Sequence, residues 1–160
     1  MSINSSIAGG LLSAEQLPLM EIIKNDEGID LLRSDSPWLG SQALIFRDYV
    51  IDSMSNMLKS TTLLKFRCDL DFLYLCNPPI AKNAWDEDMS MCDRFSDGRI
   101  MQIRKYVFVP DALDSLDIFK IDNVRLSSIF VSQRFVESWH CLGFKGLDFK
   151  LVWTDESAVI

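Results

Sequence analysis

The sequence predicts a single α+β domain with a mixed or mostly antiparallel sheet and helices packed on it. Three observations support this prediction: apolar residues alternate along several short segments, two segments carry apolar residues at helical spacing, and a hairpin signal joins two of the alternating segments. A length of 160 residues is enough for one domain with a full apolar core. We therefore treat residues 1–160 as one domain, with residues 1–12 as a loose start.

The first half of the chain is predicted to alternate helices and strands. In chain order the segments are a helix within 13–25, a loop at 34–41, a strand at 43–46, a helix at 48–58, a strand at 66–76 and a short helix at 80–85. The first helix has two alternative starts, one capped by Ser13 and one beginning at Pro18. The strand at 66–76 rests on unbroken apolar alternation, and Asn77-Pro78-Pro79 ends it.

The second half is predicted to be mainly strands, with one helix before the last of them. The strands are placed at 89–95, 99–109, 118–121, 129–131 and 147–153. Ser96-Asp97-Gly98 predicts a hairpin between the first two, because glycine supplies the positive φ that such turns need. Ser132 is predicted to open the helix and Gly143 to end it.

One pattern occurs twice in the chain. Residues 44–57 and 129–142 share the same arrangement of apolar positions at an offset of 85 residues. We interpret the recurring pattern as a repeated strand-turn-helix-strand unit. The alternative is that the apolar pattern recurs by chance. In either case each helix is expected to pack an apolar stripe on a sheet.

The charge balance narrows the class of partner. With 16 basic and 23 acidic residues, the formal net charge is −7. Direct nucleic-acid binding is disfavoured, because phosphate neutralisation requires clustered Lys and Arg, whereas a basic partner is favoured. Residues 1–14 contain no Lys or Arg and no continuous apolar run, and no stretch approaches the ~20 apolar residues of a membrane span. The expected location is the cytoplasm, with no membrane contact.

Residues with catalytic chemistry are few and form no known motif. His140 is the single histidine, and we interpret it as a surface residue at the rim of its helix. The cysteines are Cys68, Cys76, Cys92 and Cys141, and their spacing fits no zinc template. No phosphate-binding glycine loop or nucleophile elbow is present. The sequence therefore predicts a binding protein that has no catalytic residues, cofactor or metal.

Acidic and aromatic residues are the candidates for the contact with a basic partner. The densest acidic run is Asp86-Glu87-Asp88, and its alternative interpretation is a solvated loop. Exposed aromatic residues are expected to act as anchors, with core packing as the alternative for each. The predicted partner-binding residues are Asp86, Glu87, Asp88, Asp26, Glu27, Trp85 and Trp38.

Several blocks of residues 44–153 occur in a familiar order. They are Phe72–Asn77, Arg94–Ile100, Ile118–Ile121, Ser128–Ser138 and Leu142–Phe149. This order resembles the bacterial immunity proteins called "immunity protein eleven", and the last two blocks are similar to that family's IFVSE–helix–GLTGLEF ending. Position 133 is Gln, where the family usually has an acid, and the N-terminal third matches poorly.

The resemblance implies a protein that binds and neutralises a cognate toxin domain by stoichiometric occlusion. It implies no catalytic residues. The expected partner is a secreted or contact-delivered toxin domain with a basic cleft. The alternatives are a small enzyme with a dispersed site, which would need His140 beside a carboxylate, and a non-catalytic scaffold or regulatory module.

Overall fold

The computed structural model describes residues 17–19, 34–37, 43–68, 71–122, 124 and 127–155. Its strands are β1 (Leu44–Arg47), β2 (Thr62–Cys68), β3 (Asp71–Asn77), β4 (Ile80–Ala81), β5 (Met91–Arg94), β6 (Ile100–Lys105), β7 (Ile118–Ile121) and β8 (Phe130–Val131). Its α-helices are α1 (Asp48–Ser53) and α2 (Gln133–Cys141), and Pro110–Ala112 forms a 3-10 turn. The predicted α+β class is confirmed.

The described strands form three small sheets, ordered β1-β3-β2, β4-β7-β8 and β5-β6. The pair β4–β7 is parallel, and the other four strand pairs are antiparallel. The mostly antiparallel pairing that the sequence predicts is confirmed, although the strands form three sheets and not one. No helix in these ranges is both long enough and apolar enough to cross a bilayer.

Two apolar cores lie on opposite faces of the β4-β7-β8 sheet. The first core contains Phe46, Val50, Ile51, Met54, Leu58, Cys76, Ile118, Phe135 and Trp139. The second contains Ala81, Ala84, Trp85, Phe108, Phe119, Ile121 and Phe130. Successive residues of a strand point to opposite faces, so β7 contributes Ile118 to the first core and Phe119 to the second. A smaller cluster of Ile45, Cys68 and Leu73 covers the other face of the β1-β3-β2 sheet.

Helix α2 has the start and the end that the sequence predicts. The Ser132 hydroxyl accepts a hydrogen bond from the Phe135 N–H at 3.1 Å and donates one to the buried Asp117 carboxylate at 2.7 Å. Gly143 has a φ of +71°, and the N–H groups of Gly143 and Phe144 bond to the carbonyls of His140 and Trp139. This is a Schellman end, and the Phe144 and Trp139 rings pack with their centroids 5.2 Å apart.

Four predicted elements are corrected by the structure. The segment Phe66–Cys76 is two antiparallel strands, in which Cys68 pairs with Asp71. Alternation runs through both strands, and Asp69-Leu70 carries no Gly or Pro to mark the reversal. The helix predicted at 48–58 ends at Ser53 and continues as turns.

The helix predicted at 80–85 is also wrong, because Ile80–Ala81 pairs with β7 and Asn83 has a φ of +55°. Residues 147–153 form no strand, although Leu147 and Phe149 pack against the first core. The predicted loose start lies outside the described residues, and so does the predicted N-terminal helix apart from residues 17–19.

The repeated unit is present only as far as its helix. Arg47 and Ser132 precede α1 and α2 with nearly equal backbone angles, −74°/159° and −71°/160°. Both helices contribute to the first core. A strand follows α1, but residues 142–155 after α2 contain no strand, so the fourth element of the predicted unit is wrong for the second copy.

Gly146→Ala is expected to lower the free energy of unfolding by at least about 3 kcal/mol. Gly146 has a φ of +105°, and a Cβ there would overlap the Ser34 hydroxyl and lie 2.9 Å from the Ser36 carbonyl oxygen. Gly143→Ala is the matched control, because its φ is also positive but its Cβ meets nothing within 4 Å. That control is expected to cost about 1–2 kcal/mol. Urea unfolding measures both, and equal losses would contradict the steric explanation.

Ser132→Ala is expected to lower the free energy of unfolding by about 2 kcal/mol. The substitution removes the cap of α2 and one hydrogen bond to the buried Asp117 carboxylate. Ser138→Ala in the same helix is the control and should change stability by less than about 0.5 kcal/mol. A loss at Ser132 no greater than that of the control would show that the cap contributes nothing.

Candidate protein-interaction surface

The strands β5 and β6 form a hairpin that is anchored to the molecule by three side chains. Cys92, Ile100 and Ile103 pack against the second core. The two strands otherwise contact mainly each other. Cys92 pairs with Ile103, and Asp93 pairs with Gln102 on the opposite face, which points away from the core. The hairpin therefore presents its outer face to solvent.

The hairpin and the loop before it expose several large apolar side chains. Four of the eleven such side chains in the described part of the chain lie between residues 89 and 101. We call these four the hairpin surface: Met89 (67% exposed), Met91 (57%), Phe95 (46%) and Met101 (56%). None of the four is among the contact residues predicted from the sequence, although apolar residues between polar ones in two predicted strands are a usable signal. Methionine is common on binding surfaces because its unbranched side chain adapts to its neighbour.

The tip of the hairpin is held by its own hydrogen bonds. The Phe95 N–H donates to the Arg99 carbonyl at 2.8 Å, and the Gly98 N–H donates to the Phe95 carbonyl at 2.9 Å. Asp97 accepts from the Arg99 N–H, while the Arg94 guanidinium donates to the Gly98 carbonyl. Gly98 has a φ of +85°, so the predicted hairpin turn at Asp97-Gly98 is confirmed.

Ion pairs neutralise most of the charge on the hairpin. The pairs are Glu87 with Arg94, Asp93 with Arg104 at 2.7 Å, and Asp97 with Arg99 at 2.7 Å. All of these groups are at least one third exposed, so each pair adds little to stability. Glu87–Arg94 links the preceding loop to β5, Asp93–Arg104 links the two strands, and the three pairs together leave little net charge on this segment.

The three acids of the predicted contact surface have different roles. Asp86 shapes its loop, because its carboxylate accepts the Met89 N–H at 3.0 Å and its carbonyl accepts the Ser90 hydroxyl at 2.6 Å. Glu87 is paired with Arg94. Asp88 is exposed and makes no hydrogen bond or ion pair within the described ranges, so it is the acid most available to a partner.

Trp85 is not the exposed aromatic anchor that the sequence analysis considered. Its side chain is 7% exposed in the second core, and it forms a β-bridge with Phe108. The indole N–H donates to the Ser90 hydroxyl at 2.8 Å, which satisfies the one polar group of the ring. The alternative of core packing is therefore the correct one. The predicted residues Asp26, Glu27 and Trp38 lie outside the described residues.

The side chains considered for catalysis are dispersed. His140 is exposed near the end of α2, with its ring 5.6 Å from that of Phe149. Burial raises the pKa of the Cys76 thiol to about 12, so this thiol is protonated at neutral pH. In the described ranges, no three His, Cys, Asp or Glu side chains are grouped so as to hold a metal ion.

An open groove of about 440 Å³ lies between the end of α1 and the second half of α2. Its wall is partly apolar, from Met54, Met57 and Leu142, and partly polar, from Ser53, Asn56, Glu137 and Ser138. Cys141 is exposed at its edge. The groove holds no buried polar group aimed at a ligand, so its geometry does not identify an occupant.

Cys141 is expected to react with a maleimide in the folded protein, whereas Cys76 is expected to react only after unfolding. Burial and the raised pKa of Cys76 both oppose attack, and Cys141 is exposed. The folded-state pKa of Cys76 lies above the ordinary value of 9.0. The contribution of the protonated thiol to the free energy of unfolding is therefore complete below pH 9 and is lost as pH rises towards 12. Mass spectrometry of labelled peptides measures the reactivity. Rapid native labelling of Cys76 at pH 7 would contradict the assignment.

No family model matches this chain, and no curated protein gives a significant match to its sequence.

Proposed function

We propose that the protein is a bacterial immunity protein that binds a cognate toxin domain and neutralises it by stoichiometric occlusion. The proposal starts from the ordered resemblance of residues 44–153 to the "immunity protein eleven" class. The structural observation that carries it is the hairpin surface. Large apolar side chains that are exposed within one short segment, residues 89–101, support a surface that a protein partner covers.

The placement of the reactive groups supports a binder over an enzyme. His140 lies next to an aromatic ring on the outside of α2, and Cys76 is a buried, protonated thiol. Among the described residues, neither arrangement provides a nucleophile with a base in reach, which catalysis by an acyl-transfer triad needs. The conspicuous polar residues Asp117 and Ser132 are engaged in fixing α2 to β7.

The proposed partner is a secreted or contact-delivered toxin domain with a basic cleft, and the proposed place of action is the cytoplasm. A net charge of −7 accelerates the approach of a positively charged surface. Asp88 is the available acid beside the hairpin surface. No nucleic acid and no membrane is needed for this function.

Inhibition is expected to be complete at one equivalent of this protein per toxin. The toxin domain encoded beside the gene would be purified and assayed while the chain is titrated in. An occluding protein gives a linear loss of toxin activity that ends at a ratio of one, because each molecule blocks one site. Co-expression of the two genes in a bacterial host should restore growth, and a non-adjacent toxin serves as the specificity control.

The His140→Ala variant separates this function from the enzymatic alternative. Growth rescue and the one-to-one titration should both be unchanged, because His140 lies outside the proposed contact. If about one hundredth of an equivalent of this protein per toxin were enough to neutralise the toxin, and His140→Ala abolished that effect, the protein would act by turnover and occlusion would be refuted.

A further inference from the structure

We propose that the β5–β6 hairpin is the central docking element and that it inserts into an apolar-floored cleft with a basic rim on the toxin domain. This inference rests on the proposed function and names the surface that performs it. The juxtaposition that carries it is the hairpin surface, namely Met89, Met91, Phe95 and Met101, on a hairpin and its preceding loop whose charges are mostly paired with one another.

The ribbon is preorganised for binding. The tip hydrogen bonds hold the turn at Gly98, and the Arg99 guanidinium lies 5.6 Å from the centre of the Phe95 ring. The Ser90 hydroxyl receives the Trp85 indole N–H and the Val107 N–H, which fixes the loop carrying Met89 to the second core. A rigid element loses little conformational entropy on association, so more of its contact energy appears as affinity.

The charges of the hairpin and its preceding loop indicate the chemistry that a complementary cleft on the toxin domain would have. Residues 86–105 contain five acidic and four basic side chains, a net charge of −1, and three acid–base pairs are already formed. A partner gains little by pairing again with groups that are already neutralised. The remaining energy source at the centre is the apolar side chains, whereas Asp88 and the net charge of −7 favour a basic rim.

The exposed side chains of the hairpin surface are better suited to docking than the strand edges. The β5–β6 ladder has register shifts between Met91 and Cys92 and between Asp93 and Arg94. Such bulges interrupt the regular row of backbone groups that an added strand would need. Binding through the exposed side chains is therefore favoured over strand addition.

A partner toxin is a better occupant than a second copy or a membrane. Two copies of this chain each carry a net charge of −7, so they repel one another. An anionic lipid surface is disfavoured by the same sign. The negative net charge attracts a basic toxin cleft. A toxin domain is therefore the occupant that fits both the exposed apolar side chains and the charge.

The test measures association and dissociation rates of the full chain on the purified, catalytically inactivated toxin domain. Raising NaCl from about 50 to about 500 mM should slow association by roughly tenfold and change dissociation by less than about twofold. Met101→Lys and Met89→Lys should each speed dissociation by at least about tenfold. Leu151→Lys is the matched control, since Leu151 is 77% exposed and lies outside the hairpin, and it should leave dissociation unchanged.

Thermal unfolding of each variant checks that the fold is kept, and the milder Met101→Ala should weaken binding in the same direction. If the toxin binds and is neutralised but the methionine variants dissociate like Leu151→Lys, the docking element is wrong and the function stands. If the toxin neither binds nor is neutralised, both proposals fail. A wild-type dimer in solution that Met101→Lys makes monomeric would replace the toxin with a second copy as the occupant.

Discussion

The structure depends on the junction between Asp117 and Ser132. Asp117 precedes β7 and is buried, and a buried carboxylate without partners costs several kcal/mol. Ser132 supplies its hydroxyl to that carboxylate and its N–H to the Asp117 carbonyl at 2.9 Å, and the Arg134 guanidinium supplies an ion pair. The same hydroxyl caps α2. Ser132 therefore fixes the start of β7, the end of β8 and the start of α2.

That junction also sets the division of the interior into two cores. With Ser132 tied to Asp117, the register Ile118 with Val131 and Phe119 with Phe130 follows. A shift of one residue would exchange the faces and place Ile118 in the second core. The correct register lets the first core hold both helices, while the second core supports the hairpin through Cys92, Ile100 and Ile103. The second core, and the hairpin that packs against it, thus depend on this register.

The sequence predicts the elements whose signals are local. Ser132 and Gly143 bound α2, and Asp97-Gly98 closes the hairpin, because a cap or a positive φ is decided within a few residues. The wrong predictions concern segments whose structure is determined by contacts with residues distant in the sequence. Residues 80–81 join β7 across 40 positions, and the reversal at Cys68 leaves no local mark.

At the candidate site, too, the features set by a single residue are predicted and the features set by contacts between residues are not. Glu87 and Asp88 are exposed, as their polarity indicates. The indole N–H of the buried Trp85 is satisfied by a hydroxyl five residues away, and Glu87 and Asp93 are neutralised by Arg94 and Arg104. These partners are set by the folded hairpin and cannot be derived from composition. The charge of a segment is therefore a poor guide to the charge that its surface presents.

The hairpin keeps its structural and its exposed side chains on separate positions. Cys92, Ile100 and Ile103 are committed to the second core, whereas the hairpin surface makes no contribution to either core. Substitution at the exposed positions consequently changes what the ribbon contacts at little cost to the fold. Discrimination between partners requires such positions, because specificity is a difference between two binding free energies. A hairpin whose exposed residues are separate from its core residues meets this physical requirement for discrimination between partners.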